Sequence, residues 1–157
     1  VTAVSRVLLD IMCGGVVAHL RMCGHDAAYA GDRGLEDDDE LLAVARREGR
    51  TILTRDVALA GRAEASILLE AREPEGQLRE LHRAGIGLRL DDEPSRCGAC
   101  NGPLDRVADD DRTPAYAPDP AVEAVWRCRD CDQAFWKGSH WDRVEETLEA
   151  VRGEGGS

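Results

Sequence analysis

The sequence predicts an α/β fold, a parallel sheet flanked by helices, followed by a small four-cysteine zinc ribbon. Two observations predict it. Short aliphatic runs alternate with helical stretches of about 10 residues through the first half, the pattern of βαβ units. Four of the six cysteines (Cys97, Cys100, Cys128 and Cys131) and five of the six aromatic residues fall in the second half. Two units built on different physics follow: residues 1–92 for the sheet domain, and 93–157 for the ribbon with a C-terminal helix and flexible tail.

The elements read in order. Arg6 to Leu9 is a buried-type strand that delivers Asp10 at its end. From Met12 to Cys23 the apolar positions Met12, Val16, Val17, Leu20 and Cys23 recur at helical spacing, with Gly24 as the stop. Ala27 to Tyr29 is a second strand and Gly31 to Gly34 a loop. A helix starts near Asp38, carries Leu41, Leu42 and Ala45, and stops at Gly49. Thr51 to Leu53 and Ser66 to Leu69 are further strands, with Thr54-Arg55-Asp56 after the first of them. Pro74 suits the first turn of a helix carrying Leu78 and Leu81 and ended by Gly85. Residues 91–96 form a polar linker.

Composition narrows the function. Twenty basic residues against 31 acidic ones leave a formal charge of −11, which argues against a broad cationic nucleic-acid surface. At about 1 M salt, however, the Debye length is only about 3 Å, and repulsion from a polyanion is screened. No run approaches the roughly 20 apolar residues that span a bilayer, and Val1 to Leu9 is too short for a secretory h-region, so a cytoplasmic protein with no membrane partner is expected. Gly31 to Gly34 lacks the Gly-Lys-Ser/Thr ending of a P-loop, and no G-x-S-x-G nucleophile elbow occurs.

Chemistry concentrates in two places. In an open parallel sheet, ligands bind outside the carboxyl ends of the strands, where Asp10 and Asp56 should emerge. The run Asp37-Asp38-Asp39-Glu40 opens a helix that can point to the same edge. Gathered carboxylates repel unless a cation neutralises them, and a hard ion such as Mg²⁺ or Mn²⁺ suits oxygen ligands. The plainer reading is that Asp38 caps its helix and Asp56 opens the next. The cysteines form two Cys-x2-Cys knuckles, Cys97/Cys100 and Cys128/Cys131, with the spacing of a structural Zn²⁺ ribbon. Four thiolates leave no open position for water, so that ion is structural. Cys13 and Cys23 read as apolar packing residues.

Trp126, Trp136 and Trp141 interleave with Arg127, Arg129, Lys137 (the only lysine) and Arg143. Stacking faces beside cations can hold single-stranded nucleic acid, which makes Arg127, Trp136, Lys137 and Trp141 candidate RNA contacts. The same tryptophans can instead dock the ribbon onto the sheet domain. His140 can contact phosphate or act as a general acid, or simply satisfy a backbone group.

A family resemblance joins these pieces. Leu9-Asp10-Ile11-Met12, Gly14, and Leu20-Arg21-Met22-Cys23-Gly24-His25-Asp26 resemble the opening of the Mut-seven C-terminal RNase domain family. So do Asp38-Asp39-Glu40-Leu41-Leu42, Leu53-Thr54-Arg55-Asp56 and Gln77-Leu78. The cysteine pairs with Asn101-Gly102-Pro103-Leu104, and Trp136-Lys137-Gly138-Ser139-His140-Trp141, resemble it too. The resemblance spans roughly residues 6 to 145. It implies a PIN-like nuclease domain with a zinc ribbon, acting as a Mg/Mn-dependent endoribonuclease. A narrow carboxylate-lined edge suits one backbone better than a duplex, so single-stranded or loop RNA is the expected substrate. In it Asp10, Asp38 and Asp56 would hold the metal, with Asp39 the rival to Asp38 and with Arg21 and Arg55 in support. The chain departs from the family pattern at Gly15 and Ala18, where basic residues are usual, which keeps a non-catalytic RNA- or protein-binding module as the alternative.

Overall fold

The computed structural model of the protein describes residues 4–155. Residues 1–3 of the N-terminal run and 156–157 of the expected flexible tail lie outside the described residues. Seven strands and six helices follow in order: β1 Arg6–Leu9, α1 Val17–Met22, β2 Asp26–Tyr29, α2 Ala30–Arg33, α3 Asp38–Glu48, β3 Thr51–Thr54 and α4 Val57–Arg62. Then come β4 Ser66–Leu68, α5 Pro74–Arg83, β5 Leu104–Arg106, β6 Val125–Cys128, β7 Ala134–Trp136 and α6 Ser139–Gly155. The first four strands form one parallel sheet in the order β2-β1-β3-β4, and the last three form an antiparallel sheet, β5-β6-β7.

The parallel sheet is covered on both faces, as its aliphatic strands require. Side chains alternate across a strand, so Val7 and Leu9 face one way and Leu8 the other. Val7, Leu9 and Leu53 pack with Val16, Leu20, Leu78, Leu81 and, from α6, Val144, Leu148 and Val151. Leu8 and Ile52 pack on the opposite side with Leu41, Val44, Ala45 and Leu59. The last helix therefore contributes to the core of the first sheet. Gly24, Gly49 and Gly85 stop α1, α3 and α5 at φ of 87°, 64° and 95°, backbone that residues with a Cβ rarely adopt.

Two expectations are corrected locally. The helix expected from Met12 begins as a 3-10 segment, Ile11–Val16, and becomes α-helical only at Val17. Cys13 leaves helical geometry (φ −107°, ψ 16°) and two glycines follow it. They allow close approach: a Cβ on Gly14 would lie 2.6 Å from the Tyr29 hydroxyl, and one on Gly15 2.7 Å from the Pro74 ring. The loop expected at Gly31 to Gly34 is instead the single turn α2, anchored by buried Ala30 and by an Arg33–Glu48 ion pair of 2.7 Å.

Candidate active site and four-cysteine centre

Strand register builds the acidic edge. Leu9 pairs with Leu53, so Asp10 and Thr54 leave neighbouring strands side by side, and the Asp10 N–H donates to the Leu53 carbonyl at 2.9 Å. The Thr54 hydroxyl, fully buried, donates to Asp10 Oδ2 at 2.7 Å. It also accepts the Asp56 N–H at 3.0 Å, and this one side chain joins both strand-end acids. Asp10 Oδ1 accepts from the Ile11 N–H at 2.8 Å. Asp56 caps α4 through Oδ1, accepting from Ala58 and Leu59, while its Oδ2 has no hydrogen bond among the described residues.

The acidic run of α3 sorts itself. The cap is Asp37, not Asp38: its side chain accepts from the Asp39 N–H at 2.9 Å. Asp39 is exposed and pairs with Arg62 at 2.5 Å. Asp38, half-buried like Asp10 and Asp56, makes no hydrogen bond or ion pair among the described residues. Because α3 leads into β3, whose first residue lies at the far edge of the sheet, α3 begins on the carboxyl-end side. The structure joins Asp10 to Asp56 but leaves Asp38 apart. Among the described residues, only the four cysteines form a group of three or more metal-ligand side chains with ligand atoms all within 4.8 Å.

The flanking residues fall into separate places. Arg55 donates to the Glu70 carbonyl at 3.2 Å, while its buried Nε has no partner among the described residues. Beside them, burial pushes the Cys13 thiol up to about 12, Asp10 adding to the rise and Arg55 opposing it, so Cys13 is a neutral packing group. Arg21 is buried and pairs with Asp32 at 3.4 Å rather than with Asp10, Asp38 or Asp56. It donates to the Ala27 carbonyl at 2.9 Å and the Gly98 carbonyl at 3.0 Å, tying β2 to the first cysteine knuckle. His140 is exposed at the start of α6, in a groove between α1 and the ribbon.

The cysteine centre is compact. Four sulfurs about 2.3 Å from a tetrahedral ion sit about 3.8 Å apart, and here Cys97–Cys131 and Cys100–Cys128 are 3.7 and 3.5 Å apart. The two knuckles share one turn: the Asn101 N–H donates to the Cys97 carbonyl at 2.8 Å and the Asp132 N–H to the Cys128 carbonyl at 3.0 Å. Asn101 and Asp132 are also the two non-glycine residues at positive φ among those described, 73° and 64°. Burial pushes the Cys97 and Cys100 thiols up. Burial acts likewise on Cys128, but the Cys131 and Asp130 amides outweigh it and draw that thiol below its ordinary value. Close-packed sulfurs with amide donors are a donor set that fits zinc.

Of the four candidate RNA contacts, three meet at one place. Trp136 and Trp141 line the groove, and the Lys137 ammonium lies 5.2 Å from the Trp141 ring centre. Arg127 points the other way along β6, held by the Arg112 carbonyl at 2.7 Å and by Asp132. Trp126 is buried, its N–H donating to Glu93 at 2.8 Å and the Arg106 guanidinium lying 5.3 Å from its ring centre. Sequence reasoning missed Thr54 as a site residue. Its signal was a hydroxyl at the last position of a buried strand, two residues before an acid.

The chain is an α/β protein with a parallel four-stranded sheet, acids at its carboxyl edge and an appended four-cysteine ribbon. The chain belongs to the family described as Mut7-C RNAse domain, which matches residues 5–148. No curated protein and no solved structure matches it. No helix among the described residues is long and apolar enough to cross a membrane.

Proposed function

We propose that the chain is a metal-dependent ribonuclease that hydrolyses phosphodiester bonds of single-stranded or loop RNA in the cytoplasm. Asp10, Asp38 and Asp56 would hold Mg²⁺ or Mn²⁺, and Cys97, Cys100, Cys128 and Cys131 would hold structural Zn²⁺. The observation that carries this reading is the Asp10–Thr54–Asp56 relay at the strand ends of a chain of an RNase family. When bound, the hard ion supplies charge neutralisation at the phosphate and an acidified water. The chain's own part is to aim the carboxylates. Thr54 fixes the Asp10 rotamer, and the α4 amides fix that of Asp56 while leaving Oδ2 open. Asp38 makes no hydrogen bond or ion pair among the described residues, which suits a carboxylate that can turn onto an ion. Arg55, held beside this edge by the Glu70 carbonyl, would add positive charge near a bound phosphate.

One observation favours a second reading, a non-catalytic RNA- or protein-binding module: Asp10 and Asp56 both cap the helical segments that follow them. The deciding experiment is cleavage of a labelled single-stranded RNA with Mn²⁺ across a salt range, wild type beside Asp10→Asn. We expect a loss of about 100-fold or more in the variant. Equal cleavage by both proteins would defeat the assignment, and no cleavage by either would favour the binding module.

A further inference from the structure

We infer that the groove between α1 and the ribbon is a nucleobase pocket, which seats one unstacked base of a single-stranded RNA. The inference rests on the ribonuclease reading only for the identity of the strand that is cut. The groove has a volume of 260 Å³ and is walled by Ala18 and Met22 of α1, Phe135 and Trp136 of β7, and Trp141 of α6. Its floor is made of small residues: Gly98 of the first knuckle faces Ala18, and a Cβ on that glycine would just meet the Ala18 methyl at 3.8 Å. A long side chain at position 18 would fill it.

Charge identifies the occupant. Acids make up 31 of the 157 residues, yet no carboxylate lines this groove, and its two ionisable members, Arg96 and His140, are both basic. The single lysine of the chain sits against the Trp141 ring beside the groove, its ammonium also donating to the Asp92 carbonyl at 2.6 Å. An aromatic slot edged by cations on an otherwise anionic protein suits an aromatic base carried on a phosphate backbone. An apolar peptide would need no cations, and an acidic peptide would not need the ring faces. Ala18 lies eight residues past Asp10, within about 16 Å along the 3-10 and α-helical turns, so a strand passing the acids can place a nearby base here. A duplex, whose bases stay stacked, cannot use the pocket.

The test uses full-length protein carrying Asp10→Asn, so that RNA survives titration. Fluorescein-labelled dodecauridylate and a 12-base-pair RNA duplex are titrated and followed by anisotropy. Ala18→Phe plugs the groove, Trp141→Ala removes a wall, and Trp141→Phe restores an aromatic face; zinc content and circular dichroism report folding. We expect single-strand affinity to fall about ten-fold or more with Ala18→Phe and Trp141→Ala, to recover with Trp141→Phe, and duplex affinity to be unchanged by all three. Unchanged single-strand affinity in the folded plug variant would overturn the pocket. So would an absence of single-strand binding by the Asp10→Asn protein, or a plug that instead dissolves a dimer. Mn²⁺-dependent cleavage by the wild type is measured separately. A plug effect without cleavage keeps the pocket and removes the ribonuclease reading, whereas cleavage without a plug effect does the reverse.

Discussion

The Thr54 hydroxyl donates to the Asp10 carboxylate at 2.7 Å across two strands that are 44 residues apart in the chain. A hydroxyl that orients a carboxylate acts on metal affinity as well as on folding. Thr54→Val removes the donor at nearly constant volume. It is expected to cost about 1–2 kcal/mol of stability and to weaken Mn²⁺ binding about 10-fold or more, read by calorimetric titration. Thr54→Ser should restore most of the Mn²⁺ affinity. A Thr54→Val protein that binds Mn²⁺ as the wild type does would make the contact purely structural.

Asp38 and Asp39 are neighbours with different surroundings, and substitution should separate them. Asp39→Asn breaks only an exposed, solvent-screened pair with Arg62 and should leave RNA cleavage close to that of the wild type. Asp38→Asn removes the uncommitted carboxylate and should lower cleavage by about 100-fold or more, with little change in melting temperature. The reverse order in a side-by-side rate measurement would move the ligand to Asp39.

The cysteine centre should carry one zinc per chain by elemental analysis. Its removal by a strong chelator should collapse the ribbon, because Val107, Val125 and Ala134 make too small a buried cluster to hold it alone. The near-ultraviolet signal of Trp126 and Trp136 reports this, and added Mn²⁺ should not restore it. Cys128→Ser should reproduce the chelated state.

Asp26 gives a pH signature at the opposite edge of the sheet. Burial alone would raise its carboxyl, but hydrogen bonds from Asn101 and from nearly buried Arg50 (2.9 Å) outweigh it and hold the group below its ordinary value of 3.8. A depressed carboxyl contributes stability that is fully present above the unfolded-state pKa. That stability is lost as pH falls through the lower folded-state value. Asp26→Asn should therefore destabilise by about 2–4 kcal/mol at pH 7, in part because Arg50 loses a partner. The gap to wild type in urea denaturation should close only below about pH 3.8. A gap that closes near neutrality would assign the effect to another group.

The sheet was legible because strands such as Val7-Leu8-Leu9 are continuously apolar and because glycines stand where helices stop. The cysteine ribbon was legible from spacing alone, since two Cys-x2-Cys turns bring four sulfurs together whatever lies between them. What stayed hidden depended on register or on competition among neighbours. Thr54 matters because Leu9 pairs with Leu53, which no local pattern reveals. That Asp37 takes the cap, freeing Asp38, is decided by one residue of phase in a run of four acids. The 3-10 start before α1 carries two glycines that Tyr29 and Pro74 approach closely, contacts between segments distant in sequence.

Helix α6 follows the ribbon in the chain, yet Val144, Leu148 and Val151 sit against Leu78 and Leu81 beneath the first sheet. During synthesis the nascent sheet must therefore wait, with that oily flank bare, until the ribbon has left the ribosome. A chain released before Ser139 would expose the flank to chaperones and proteases, so the core beneath the acidic edge closes only after the ribbon has been made.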